Sequence, residues 1–125
     1  MYRFYNPNPS GKFKEDCIIR AITKLENLSW NDVYIKICLI GFYEKEMPSV
    51  NRVWRQYLIK LGYHRHIIPN TCPDCYTVQD FCKEHSIGKY LLVTDGHVVT
   101  VIDGDYYDAF DSGDEIPIYY WCKED

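Results

Sequence analysis

The 125-residue sequence lacks several features that would assign it to a particular class of protein. No apolar run approaches the roughly 20 residues of a membrane-spanning helix, and no signal peptide opens the chain. Basic residues are not in excess, since the formal net charge is -4, and this argues against general nucleic-acid binding. There is also no internal repeat or low-complexity tract. These absences predict a cytoplasmic protein that binds neither a membrane nor nucleic acid.

The amino-acid composition is typical of a globular protein. Apolar residues make up 46% of the chain and aromatic residues 16%, an excess that favours a sheet-rich core with amphipathic rings at its rim. The length suits one domain over residues 1–125. Six cysteines would form a disulfide framework in a small secreted protein, but nothing here signals secretion, so we expect thiols.

Helical periodicity fills the first half of the sequence. Apolar spacing predicts helices over about 17–26, 30–40 and 50–61, and a shorter one over about 78–85. Ser29 and Asp32 have the spacing of a capping box, Ser49 is a candidate cap, and Gly41 is a natural helix end. Cys38 lies on the apolar face of the second helix, which predicts a core position. Residues 1–15, which include two Asn-Pro pairs, are expected to be extended or turning.

The second half changes to strand signals. Strands are predicted over 63–68, 89–94, 97–102, 105–110 and 116–122, with Asp-Gly hairpin turns at 95–96 and 103–104. The last four strands are expected to form an antiparallel meander packed against the N-terminal helices. The predicted fold class is therefore α+β.

Cys17 lies where the irregular first segment becomes the first helix. Asp16 is a candidate N-cap, so Cys17 would be the first helical residue, where the positive end of the helix dipole favours an ionised, nucleophilic thiol. The alternative is a small buried side chain in the core.

His97 begins a predicted strand directly after a turn, a position from which an imidazole can reach a cleft. The alternative is a residue at the rim of the sheet, hydrogen-bonded to a neighbour. Pairing around the 103–104 turn places Phe110 opposite His97 and Asp111 one step beyond it, so Asp111 is the predicted carboxylate that orients the imidazole. Asp103 and Asp108 are the less favoured candidates for that role.

Four segments together resemble small papain-like cysteine peptidases of the kind found in bacteriophages and gut bacteria. They are residues 16–21 (DCIIRA), 29–34 (SWNDVY), 96–104 (GHVVTVIDG) and 107–112 (YDAFDS). The resemblance implies a papain-like fold, with a nucleophile on the N-terminal helix and a histidine and an Asn or Asp on a C-terminal antiparallel sheet. It also implies that the Asp111-Ser112 pair corresponds to the family's Asn-Ser-Trp segment, although Gly113 replaces the tryptophan.

The function implied by this resemblance is a cysteine-dependent hydrolase with a Cys17–His97–Asp111 triad and no cofactor. Its substrate would be a peptide or protein amide or isopeptide bond, and acyl transfer would use the same triad. The family's oxyanion glutamine is absent, which leaves Asn8 or Asn6 as the candidate side-chain donors. The alternative is a weakly active or inactive scaffold that binds a protein, for example a phage factor acting against a host protein in its cytoplasm.

A second cluster of possible metal ligands comprises Cys72, Cys75, Cys82 and His85, with His64 and His66 nearby. One C-x-x-C pair is a weak zinc signal, because a structural site needs a second pair of ligands at a suitable spacing. We predict that no metal is required; a reversible disulfide and plain loop packing are the other interpretations.

Overall fold

The structure is a computed structural model that describes residues 1–12 and 15–123. The predicted α+β class is confirmed, with four helices and six strands in the described residues. The helices are α1 (Cys17–Glu26), α2 (Trp30–Glu44), α3 (Asn51–Lys60) and α4 (Val78–Glu84). The strands are β1 (Tyr2–Phe4), β2 (His64–Ile67), β3 (Lys89–Thr94), β4 (His97–Ile102), β5 (Asp105–Asp108) and β6 (Tyr119–Cys122).

The six strands form one mixed sheet in the order β1-β5-β4-β3-β6-β2. The antiparallel hairpins β3–β4 and β4–β5 are confirmed. The expected four-strand meander is wrong, because β6 pairs with β3 and β2 instead of with β5. The sheet is not wholly antiparallel either, since β1 lies parallel to β5, with Tyr2 opposite Tyr106. Strand β1 was not predicted, because the two Asn-Pro pairs that follow it indicate an irregular segment over residues 1–15.

Helices cover both faces of the sheet. Successive residues of β3 point to opposite faces, so Leu91 packs with α1, α2 and α3 whereas Leu92 packs with α4. Both side chains are fully buried. Burying a side chain of this size contributes about 1.5–3 kcal/mol, so two such layers hold the helices on the sheet. The expectation that the N-terminal helices pack on the sheet is confirmed for α1 to α3.

The start of α2 has the predicted capping residue, whereas the end of α2 and the start of α3 differ from the prediction. The Ser29 side chain accepts from the Asp32 N–H at 3.1 Å, as the capping box predicts. Gly41 does not end α2, which continues to Glu44. A Cβ at Gly41 would lie 2.8 Å from the carbonyl oxygen of Glu46, so the glycine allows a close backbone approach. Ser49 is not the cap of α3, since Val50 occupies that position.

The outer face of α2 is apolar and exposed. Val33 and Ile37 are buried on its inner face, whereas Cys38, expected in the core, is only half-buried. Tyr34, which follows Val33 directly, is 46% exposed. The helix therefore carries apolar side chains all round, and its buried stripe is narrower than the sequence periodicity suggests.

Cys72 and Cys75 form a disulfide, contrary to the expectation that all six cysteines are thiols. The two residues lie three positions apart in a loop, and the turn brings their Cα atoms to 4.2 Å. The other four cysteines, Cys17, Cys38, Cys82 and Cys122, take no part in a disulfide. Among the residues described, no helix combines the length and the apolarity needed to cross a membrane.

Candidate functional site

The first residue of α1 meets the first residue of β4 at one end of the sheet. Helix α1 packs along β4, and the Thr100 hydroxyl donates to the Ala21 carbonyl at 2.6 Å. This fixed packing places Cys17 beside His97, close enough for the Cys17 side chain to raise the pKa of the imidazole. The structure therefore brings together the two residues that the sequence predicts as nucleophile and base.

Asp108 holds the other side of the imidazole. His97 Nε2 lies 2.5 Å from Asp108 Oδ2, and the two side chains are 11% and 1% exposed. An imidazole has two ring nitrogens, so with Nε2 on the carboxylate, Nδ1 remains for the thiol. Cys17 of α1, His97 of β4 and Asp108 of β5 therefore lie next to one another in that order.

The charges in this site stabilise a protonated imidazole. Burial alone would lower the pKa of His97, but its hydrogen bonds to Asp108 and Cys17 and their negative charges raise the pKa to about 9. Burial also opposes ionisation of Asp108, yet the hydrogen bond and charge of His97, with help from Ser112 and Arg20, hold the pKa of that carboxyl below its ordinary value. The site therefore favours an imidazolium next to the thiol near neutral pH.

The Asp108 carboxylate has hydrogen-bond partners on both of its oxygens. Besides His97, it accepts from the Ser112 hydroxyl at 2.8 Å, the Ala109 N–H at 2.8 Å and the Arg20 guanidinium at 2.9 Å. A buried carboxylate with this many donors stays ionised and keeps one orientation.

Arg20 joins the helix that carries the thiol to the strand that carries Asp108. Its side chain is 3% exposed, and its two terminal nitrogens bind Asp16 at 2.7 Å and Asp108 at 2.9 Å. Sequence reasoning missed this residue. The signal was present, because Arg20 lies four residues after Asp16 and three after Cys17, which puts all three on one side of α1.

The prediction that Asp111 orients His97 is not supported by the geometry. The pairing that underlies the prediction is right, since Thr100 pairs with Tyr107, and the Phe110 ring does lie 4.8 Å from the His97 ring. Strand β5 ends at Asp108, however, so the register cannot be extended to Asp111. Asp111 is exposed and instead accepts from the Tyr106 hydroxyl at 2.5 Å and the Gly113 N–H at 3.0 Å.

Asp108 reaches the imidazole diagonally across the sheet. Because Thr100 pairs with Tyr107, Asp108 comes level with Val99, two residues from His97. Diagonal neighbours in an antiparallel pair lie within reach of longer side chains. The other candidate, Asp103, lies in the turn at the far end of β4 and accepts from the Gly88 N–H at 2.9 Å.

Asp16 does not act as a side-chain cap of α1, although it occupies the N-cap position. Its carboxylate instead accepts from Arg20, from the Trp30 indole at 3.1 Å and from the Asn8 amide at 3.3 Å. Asn8 therefore lies beside the residue that precedes Cys17, as a nearby amide donor would require. The Asn6 amide donates to the Gly11 carbonyl at 3.2 Å, which occupies it away from the thiol.

An open groove of about 560 Å³ runs beside His97. Its walls include Thr94, Phe110 and Ile116, with acidic side chains at Asp114 and Glu115. The imidazole is thus reachable from solvent even though most of its surface is buried.

The possible metal ligands named from the sequence are not grouped in the structure. Cys72 and Cys75 are bonded to each other, Cys82 is buried in the core with its pKa raised by burial to about 11, and the His85 ring stacks on Phe81 with centroids 3.8 Å apart. Within residues 1–12 and 15–123, no three His, Cys, Asp or Glu side chains are grouped as metal ligands.

Comparison of this chain with protein-family models, with curated proteins and with solved structures finds no match.

Proposed function

We propose that this chain is a cysteine-dependent hydrolase of papain-like fold that cleaves a peptide or isopeptide bond. The observation that carries the proposal is the continuous interaction from Cys17 through His97 to Asp108. A nucleophile, a base and a group that orients the base are the three parts that thiol hydrolysis requires. Asp108 takes the role that the sequence assigned to Asp111.

In the proposed reaction, the Cys17 thiolate attacks the acyl carbon and forms a tetrahedral intermediate. The His97 imidazolium then gives its proton to the leaving nitrogen as the C–N bond breaks, which leaves a thioester on Cys17. Water attacks the thioester, His97 takes a proton from that water, and the thiolate leaves with release of the acid. Asp108 remains ionised throughout, fixing the ring and stabilising the imidazolium.

The oxyanion of the intermediate needs hydrogen-bond donors in addition to the triad. The backbone N–H of Cys17 is available, because the first N–H groups of a helix have no acceptor within the helix. The Asn8 amide is the proposed second donor, since one of its two N–H groups is used by Asp16. An acyl acceptor other than water would turn the same steps into acyl transfer.

A protein-binding scaffold with little or no turnover is the second candidate. The observation that favours it is the state of the two asparagines: Asn6 is bound to Gly11, and Asn8 is bound to a carboxylate. If neither amide reaches the oxyanion, one backbone donor remains. Losing one such donor lowers turnover by about 10²–10³-fold in a serine protease.

Two measurements separate these candidates. The first is the rate at which iodoacetamide alkylates each free cysteine near neutral pH, read by peptide mass spectrometry. The proposal expects Cys17 to react much faster than Cys38, which serves as the matched half-buried control, and expects His97→Gln to remove the difference. The second is cleavage of a mixed peptide library by the wild type and by Cys17→Ser. Fast alkylation without cleavage would favour the scaffold; equal alkylation of Cys17 and Cys38 would contradict the hydrolase.

A further inference from the structure

A second cavity, separate from Cys17 and His97, lies between α3 and the edge strand β2. Its volume is about 560 Å³, and its walls include Arg55, Ile59, Arg65 and Trp121. None of its lining residues contributes to the groove beside His97. In the sheet, β2 is three strands from β4, a separation of about 14 Å at the usual spacing between strands. A ligand in this cavity would not touch the proposed triad.

The topology explains why two arginines meet there. Arg65 of β2 pairs with Trp121 of β6, and residues opposite each other in a ladder lie on the same face of the sheet. Trp121 packs into the core under the helices, so Arg65 emerges on the face that α3 covers. From α3, Arg55 reaches across and donates to the Tyr119 hydroxyl at 3.0 Å.

The cavity is basic although the whole chain is acidic. The sequence has no Asp or Glu between Glu46 and Asp74, a stretch that supplies α3 and β2. Neither Arg55 nor Arg65 has a carboxylate partner among the residues that the structure describes. Both guanidinium groups lie near the Tyr119 ring instead, at 5.7 and 5.3 Å from its centroid. Two positive charges thus line one cavity, and residues 1–12 and 15–123 supply no carboxylate ion pair to either of them.

Buried donors in the same cavity lack acceptors. The Trp121 side chain is 3% exposed, and its indole N–H has no hydrogen-bond partner in the described part of the chain. The Nε of Arg55 is also buried without a partner. Indole and guanidinium nitrogens can only donate, and buried donors in proteins are nearly always paired. What the cavity lacks is an acceptor that carries negative charge.

We propose that this cavity binds the phosphate group of a small phosphorylated molecule. A planar guanidinium group such as that of Arg55 or Arg65 matches the spacing of phosphate oxygens. Trp121, which also lines the cavity, carries the unpaired indole N–H as a third donor. His64, exposed at the rim, is a further donor when protonated. Since the cavity is much larger than a phosphate ion, the Ile59 and Tyr63 side chains form an apolar wall for the organic part of the ligand.

The test uses the indole N–H resonances of the three tryptophans. The ¹⁵N-labelled protein is titrated with inorganic phosphate and with phenyl phosphate, with ionic strength held constant by sodium chloride. We expect a saturable downfield shift of the Trp121 indole proton, and no comparable shift for Trp30 or Trp54. The Trp121 resonance is identified as the one missing from the spectrum of Trp121→Phe.

Matched arginine variants test the geometry. Arg65→Gln removes an exposed cationic side chain at the cavity, and Arg52→Gln removes one on α3 that is 66% exposed and pairs with Glu46. We expect Arg65→Gln and Arg55→Gln each to weaken phenyl phosphate binding at least about tenfold, and Arg52→Gln to leave it unchanged. Because Arg65 and Arg52 are both exposed, the two variants should fold equally well, which circular dichroism checks.

Several results would overturn the proposal. One is a Trp121 shift that does not saturate, and another is an equal loss of affinity in Arg65→Gln and Arg52→Gln. Acetate binding as tightly as phosphate would also contradict it. So would a mixed-sequence oligonucleotide that binds more tightly than phenyl phosphate and depends equally on Arg52 and Arg65, because that pattern indicates a nucleic-acid surface. None of these measurements depends on whether Cys17 is catalytic.

Discussion

The role of Asp108 gives the sharpest prediction for the proposed triad. Replacing Asp108 by Asn removes its charge and keeps its size. With the amide oxygen in the place of Oδ1, Ala109 and Arg20 keep their acceptor, and Arg20 also keeps Asp16. The amide nitrogen then takes the place of Oδ2, next to Ser112 and His97. The imidazole loses the group that, together with Cys17, raises the pKa of His97 from 6.5 to about 9. That shift corresponds to about 3 kcal/mol in favour of the imidazolium.

The expected effect on reactivity follows from this shift. At about pH 8, an imidazole with a pKa near 9 is roughly nine-tenths protonated, whereas one with its ordinary pKa is only a few per cent protonated. In the proposed mechanism the reactive form of Cys17 depends on the protonated ring, so alkylation of Cys17 should slow by about ten- to thirtyfold in Asp108→Asn. The measurement is the iodoacetamide rate at Cys17 between about pH 6 and 10, with thermal unfolding as the check on folding.

Asp111→Asn is the matched control, since it makes the same chemical change three residues away. Asp111 contacts Tyr106 and Gly113 and not His97, so its replacement should leave the alkylation rate within about twofold of the wild type. A slow Asp111→Asn together with an unaffected Asp108→Asn would refute the assignment. That result would mean that the segment after β5 brings Asp111, and not Asp108, into contact with the His97 imidazole.

Two further outcomes follow from the structure. Because the pKa of His97 is raised on folding, its contribution to stability is complete below about pH 6.5 and is lost as the pH rises through about 9. The free energy of unfolding in urea should therefore fall over that range in the wild type and fall less in His97→Gln; parallel curves would contradict the raised pKa. A chelator such as EDTA should leave the thermal unfolding temperature unchanged, and a fall of several degrees would reveal a structural metal.

The elements that follow from local signals are the ones that the sequence predicts well. Helix α1 begins at Cys17 as expected, and the two Asp-Gly turns set the register of β3, β4 and β5. From these signals alone, Cys17 and His97 can be predicted to approach each other. The placement of β1 and β6 depends on pairing between distant segments, which no local pattern encodes.

Asp111 was the wrong choice for the carboxylate that contacts His97, for a related reason. A register predicts which residues are level with each other, but it does not predict where the strand stops. Strand β5 ends at Asp108, and the diagonal approach of that carboxylate depends on the Arg20 and Ser112 side chains around it. Such a buried charge network depends on distances between α1 and β5 that only the folded structure supplies.

The burial of Arg20 between two carboxylates has a consequence for how this protein can be stabilised. Replacing a buried ion-pair network by well-packed apolar side chains is often neutral, or stabilising by about 1–4 kcal/mol, in other proteins. Here the same exchange would also remove the Asp108 carboxylate, which holds the His97 imidazole. A selection for heat resistance alone should therefore favour apolar replacements at Arg20, Asp16 and Asp108 together. Selection for thiol reactivity should keep all three charged residues. The two selections should therefore favour different residues at the same three buried positions.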